Sequence, residues 1–158
     1  MAGLSDFLRS CADTERLVRD FYRALAGAFP EPPQVRRLFL SLAEEEESHA
    51  RTFDFLRSVA KDHEGRVQVK ESFAGNVERL RKGIGRILAA LGSEGGIPLH
   101  EALDWAILAE STTLERDKGA FVEVGGAEFR NLLKGLVTSD EGHRQQLEAL
   151  RASLSAAA

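Results

Sequence analysis

Four stretches of this chain carry apolar side chains at alternating steps of three and four, and each stripe is broken near its middle by polar residues. The first runs Leu4, Leu8, Cys11, Glu15, Val18, Tyr22, Leu25, Phe29, and the second Val35, Phe39, Leu42, Glu46, His49, Phe53, Leu56, Ala60. The third runs Leu99, Leu103, Ala106, Glu110, Thr113, Asp117, Ala120, Val124, and the fourth Phe129, Leu133, Leu136, Asp140, His143, Leu147, Leu150, Leu154. Apolar residues at this period mark one face of an α-helix, and a face so apolar at both ends needs other helices to cover it. No useful length of chain alternates apolar and polar residues as a half-buried strand would.

Prolines and glycines divide the chain. Pro30, Pro32 and Pro33 form one break, and Pro98 suits the first turn of a helix, where its missing N–H costs nothing. Gly65, Gly92 and Gly125 suit helix ends, and Gly95-Gly96 and Gly126 add to the breaks. Helices are expected over 3–28, 34–62, 72–91, 98–124 and 127–154. Four long helices with one shorter helix between two pairs make an all-α bundle, expected as one domain over 1–158.

Antiparallel helices joined by a short turn bring residues equidistant from that turn to the same height. Glu15 and Glu46 are equidistant from "FPEPP", and Glu110 and Asp140 from Gly125. In both hairpins the carboxylates stand about 15 residues, or roughly 23 Å, from the turn. The four interruptions are thus expected in one layer. The halves also repeat: Glu15 to Glu110 is 95 positions, and Glu46 to Asp140 and His49 to His143 are 94 each. Each half reads acid, a gap of about 30, then acid-x-x-His.

The same register sorts the acidic run Glu44 to Glu47. Glu46 falls on the inward stripe, three residues before His49 and on the same face. Glu44 and Glu47 are expected in solvent, and Glu45 sits ambiguously at the stripe's edge.

Four carboxylates and two imidazoles would therefore meet inside an apolar bundle. Each buried ionised carboxylate costs several kcal/mol, and clustering adds repulsion. None of the four stripes contains a Lys or Arg, so the countercharge must come from protons or bound cations. Two divalent ions would neutralise four carboxylates beside neutral histidines. The oxygen-rich donor set suits iron or manganese better than the thiolate-rich structural sites of zinc. The competing reading is a buried polar network that shares protons. One acid from each of two helices plus acid-x-x-His from the other two is the carboxylate-bridged di-metal pattern of helical bundles.

The chain resembles the rubrerythrin type of the ferritin-like superfamily. The resemblance rests on "TERLVRDFY" with Glu15 and Tyr22, "EESHA" with Glu46 and His49, "AILAE" with Glu110, and "SDEGH" with Asp140 and His143. It implies a ferritin-like four-helix bundle in which a connection, here 63–97, crosses the bundle's length between two hairpins. That connection contains an amphipathic helix with Phe73, Val77, Leu80, Ile84, Ile87 and Leu91 on one side. The resemblance further implies two iron ions, for which manganese or zinc could substitute, bridged by Glu46 and Asp140. Glu15 with His49 and Glu110 with His143 would complete the two ends. Such sites activate O₂ or peroxide between two Fe(II) ions.

The chain also departs from that pattern. Asp140 stands in place of a longer Glu. Asp117 occupies the place that matches Tyr22, and is left open as a ligand, an outer acceptor or a water-exposed residue. Thr113 stands where rubrerythrins often carry an extra Glu. Single-cysteine chains cannot hold a four-cysteine rubredoxin module, so an electron donor must be external. Tyr22 reads as a core residue donating to a ligand carboxylate, and Cys11 as plain core. His63 and His100 read as surface caps near helix ends, and Trp105 and "LRKGIGR" as packing and solvation.

Composition excludes several classes. A net charge of −4, with basic residues interspersed among acids, offers no nucleic-acid surface. No apolar run approaches the roughly 20 residues of a membrane span. The polar, helix-patterned N-terminus does not read as a signal peptide, and the single Cys11 excludes an internal disulfide, so a reducing cytoplasm is expected. Three functions remain: a di-iron oxidoreductase reducing peroxide or oxidising Fe(II), a non-catalytic iron-binding or storage protein, and a metal-free structural bundle. Family analogy favours a homodimer through the outer helix faces.

Overall fold

The computed structural model describes residues 4–60, 71–120 and 127–157, with side chains described at 4–60, 75–113, 131 and 134–157. Five helices and no strand occur among the described residues: α1 (Leu4–Ala28), α2 (Pro33–Ala60), α3 (Glu71–Leu91), α4 (Leu99–Ala120) and α5 (Ala127–Ala156). The fold is an all-α, ferritin-like bundle.

The helix ends follow from local chemistry. Pro33 opens α2, where no intrahelical partner is lost, and the Pro32 carbonyl accepts from Val35 N at 2.9 Å. Pro98 lies just outside α4 rather than in its first turn, and its carbonyl accepts from Ala102 N at 3.1 Å. After α3 the chain turns through Gly95 and Gly96, whose φ angles of 99° and 54° disfavour a side chain. Gly65 and Gly125 lie outside the described residues, as does His63.

Side-chain pairings fix the helix directions. Arg16 meets Asp54 and Arg19 meets Glu47, so α1 and α2 are antiparallel. Asp104 with Arg151 and Glu110 with His143 make α4 and α5 antiparallel. Glu45 with His143 and His49 with Asp140 do the same for α2 and α5. By these pairings α2 and α4 run in the same direction. Residues 63–70 of the expected crossover lie outside the described set. Its described helix, α3, packs on α1 and α4 and buries Val77, Leu80, Ile84 and Ile87.

The apolar core comes in two clusters. One gathers Leu4, Phe7, Leu8, Cys11 and Ala12 of α1, Phe53, Leu56 and Ala60 of α2, and Leu136 of α5. The other gathers α1 from Val18 to Ala26, α2 from Val35 to Ala43, α4 from Ala102 to Ala109, Leu147 of α5 and the buried side of α3. A fully buried Leu or Phe contributes about 1.5–3 kcal/mol, so both clusters contribute substantially to holding the bundle together. On α1, α2 and α5 the polar residues of the stripes fall between the two clusters. On α4, Glu110 follows directly after the second.

Candidate metal centre

Eight polar side chains are buried among the described residues: Thr14, Glu15, Glu46, His49, Glu110, Thr113, Asp140 and His143. All six residues picked out by the sequence as metal-loving are among them. Thr14 and Thr113 are satisfied locally, donating to the carbonyls of Ser10 at 2.7 Å and Ala109 at 3.1 Å. Thr113, buried one turn after Glu110, therefore brings a short, backbone-tied hydroxyl to a place where a carboxylate would reach further.

Five of the remaining six come together as two overlapping groups. Glu15, Glu46 and His49 offer donor atoms within 4.8 Å of one another, and so do Glu46, Glu110 and His143; either group could hold a metal ion. Glu46 belongs to both. Its Oε2 lies 3.3 Å from His49 Nδ1 and its Oε1 lies 3.0 Å from His143 Nδ1. Glu110 Oε2 lies 3.5 Å from His143 Nδ1. Asp140 stands in neither group, but its Oδ1 is 3.5 Å from His49 Nδ1. Its side chain is one methylene shorter than glutamate. The imidazoles of His49 and His143 stack with centroids 5.4 Å apart and planes 15° apart.

Electrostatics explain how such a cluster persists. The ion-pair partners of Glu46 and Glu110 among the described residues are histidines, not Lys or Arg. Burial pushes the Glu46 carboxyl up, but the close imidazole nitrogens of His143 and His49 outweigh it and hold the group below the usual carboxylate range. Burial, then the charge of Glu46, pushes Glu110 up. Burial disfavours the charged form of His143, yet the close carboxylates of Glu110 and Glu46 push it up to about 12. An imidazolium thus supplies part of the countercharge when protons are the only cations present. Glu46 Oε2, Glu110 Oε2 and His143 Nδ1 still have no hydrogen bond. Buried polar atoms left this way call for an explanation, such as a catalytic role, a water or an ion. Carboxylate oxygens and imidazole nitrogens converging on one space form a donor set that fits divalent cations.

Tyr22 is a core residue that donates to a carboxylate, as its place on the stripe led one to expect. Its hydroxyl donates to Glu110 Oε1, and its ring stacks on Phe39 at 6.1 Å. Burial first, then the charge on Glu110, raises the phenol well above its ordinary value. Cys11 is buried in the apolar cluster. His100 is exposed in the first turn of α4, and Trp105 is partly exposed. The side chain of Asp117 lies outside the described set.

One member of the acidic run differs from its sequence reading, and another that was ambiguous is resolved. Glu47, expected in solvent, is only 25% exposed and pairs with Arg19 of α1 and Arg51 of its own helix. The stripe analysis followed one helix at a time and so did not see a cation brought in by its neighbour. Glu45, ambiguous in the sequence, accepts from His143 Nε2 at 2.9 Å. Its place at the stripe's edge was the only signal available.

A family model described as Rubrerythrin matches residues 6–151. The chain belongs to the rubrerythrin family. Comparisons with curated proteins and with solved structures return no match. The rubrerythrin match spans all five helices apart from two residues of α1 and the end of α5, so it covers both hairpins and both donor groups. No described helix of this rubrerythrin-family chain is long and apolar enough to cross a membrane.

Proposed function

We propose that the chain is a dinuclear iron oxidoreductase that reduces peroxide or O₂ with electrons from a separate donor. Glu15, Glu46, His49, Glu110, Asp140 and His143 would hold the two ions, with Glu46 shared between them. One observation carries this reading: a single buried carboxylate belongs to both donor groups and faces an imidazole from each hairpin. Two divalent ions would also supply the charge that four carboxylates lack. When bound, a pair of irons supplies two electrons together and Lewis-acid polarisation of an O–O bond.

The chain's own residues do the rest. Tyr22 holds Glu110 from the α1 side, and the apolar clusters exclude bulk water around the carboxylates. Exclusion of water strengthens each electrostatic contact inside. The backbone-tied Thr113 offers a hydroxyl, not a carboxylate, one turn after Glu110.

The test is anaerobic reconstitution with Fe(II), elemental analysis, then peroxide added in a stopped-flow spectrometer. Two irons per chain, a rapid optical change and turnover on adding a reductant support the proposal. Iron accumulating well beyond two per chain without turnover points to storage. Failure to bind iron, with an unchanged melting temperature, leaves a structural bundle and rejects the metal centre.

A further inference from the structure

We propose that Glu45 is a positioning residue that commits His143 to the metal through Nδ1, an inference that rests on the metal-site reading above. The His143 side chain is 0% exposed, and its two nitrogens face different partners. Nδ1 looks inward to Glu46 Oε1 at 3.0 Å and Glu110 Oε2 at 3.5 Å. Nε2 looks outward to Glu45 Oε2 at 2.9 Å, with Ser139 Oγ at 3.3 Å.

A neutral imidazole that gives one nitrogen's lone pair to a metal keeps its proton on the other nitrogen. That N–H needs an acceptor, and the acceptor fixes the tautomer and the ring's orientation. Ser139 is the weaker candidate. It is farther away, it sits on His143's own helix, and its hydroxyl can turn to donate instead. Glu45 is closer, can only accept when it is ionised and so cannot turn to donate, and comes from α2, the helix that also supplies Glu46. Two neighbouring glutamates of one helix thus grip opposite nitrogens of a ring on another. Glu45 can do this because its side chain is 44% exposed, so its charge stays solvated while one oxygen reaches inward.

The arrangement is one-sided. His49 faces Glu46 and Asp140 through Nδ1, and no carboxylate contacts its Nε2 among the described residues. Loss of Glu45 should therefore weaken one of two metal positions and spare the other. A general structural defect would not discriminate between them.

The experiment uses the full chain with ¹⁵N-labelled histidine and Zn(II) as a diamagnetic probe. Zinc is titrated in competition with a chromophoric chelator. The imidazole nitrogens are read by long-range ¹H–¹⁵N correlation, with His143 assigned by the signal lost in His143→Gln. The wild type should take up two zinc ions, with His143 metallated at Nδ1 and protonated at Nε2. Glu45→Ala should weaken one zinc by about 10–100-fold, leave the other unchanged and lose the slowly exchanging Nε2–H. Glu45→Gln keeps an acceptor oxygen and should stay within a few-fold of wild type. Unchanged affinities and an unchanged Nε2–H in Glu45→Ala would overturn the proposal. So would equal weakening of both ions together with a lower melting temperature of the metal-free protein. Wild-type protein that takes up no zinc would instead reject the metal-site reading itself, whatever Glu45 does.

Discussion

The rings of His49 and His143 stack 5.4 Å apart although 94 positions separate them in the chain. Each belongs to a different hairpin, and each turns Nδ1 toward carboxylate oxygens. Two hairpins that arrived at different heights could not produce this contact. The stack is the direct sign that the polar interruptions of α2 and α5 share one layer.

Glu46 is the side chain that this layer can least do without. It serves both donor groups, whereas Glu15 serves one and Glu110 the other. Glu46→Gln keeps the volume and removes the charge. It is expected to reduce bound metal at both positions, by more than the about 10–100-fold that follows loss of an outer partner. Glu15→Gln is expected to weaken one position only. Elemental analysis after dialysis against a weak chelator separates the cases. Equal retention of two metals by Glu46→Gln and wild type would remove Glu46 from its central place.

Much of this was legible because the bundle is built from strong periodic helices. Glu15, Glu46, Glu110, Asp140 and both histidines occupy stripe positions, and all six are buried in one region. The level of the layer could be computed, since antiparallel partners equidistant from a turn must meet. Glu45 and Glu47 were not legible for the same reason: a stripe describes one helix, whereas their partners His143 and Arg19 arrive from others. Asp140 shows a finer limit. Its height follows from register, but whether so short a carboxylate joins Glu46 in a donor group depends on ångström-scale placement that periodicity does not contain. Pro98 stands one residue outside the helix it was expected to open, an ordinary uncertainty at helix ends.

Metal should stabilise the fold measurably. An ion that binds only the folded state at 100 times its Kd adds about 2.7 kcal/mol. For a domain of this size 1 kcal/mol shifts Tm by about 2–4 °C, so a rise of roughly 5–11 °C is expected. Addition of Fe(II) under anaerobic conditions, followed in a scanning calorimeter, tests this, and a chelator should reverse it. The Glu46→Gln variant should show little rise. Coincident melting curves for loaded and stripped wild type would favour the structural-bundle reading.

Tyr22→Phe isolates a single buried hydroxyl. The ring's stacking on Phe39 is kept, while Glu110 Oε1 loses its donor. A hydrogen bond to a charged group is worth about 1.5–3 kcal/mol, and the metal-free variant is expected to be destabilised by about that amount. Urea titration should show a lower midpoint with an unchanged slope. A midpoint equal to wild type would mean that the hydroxyl contributes nothing to holding Glu110.

The pair Arg19–Glu47 tests whether the acidic run also fastens α1 to α2. The two side chains are 19% and 25% exposed, which shields them from solvent more than a typical surface pair. Glu47 is held below the usual carboxylate range, chiefly by its hydrogen bond from Arg19, and that same bond raises Arg19 against the desolvation of partial burial. Exposed ion pairs couple by about 0.2–1 kcal/mol, and partial burial places this one toward the upper end. A cycle of Arg19→Ala, Glu47→Ala and the double variant should return that coupling in metal-free protein, and the coupling should shrink as salt is raised. Arg51 also contacts Glu47 from one turn away on α2, so Arg51→Ala is the control: it should leave the coupling largely intact. A coupling of zero at low salt would return Glu47 to the solvated role first read from the sequence.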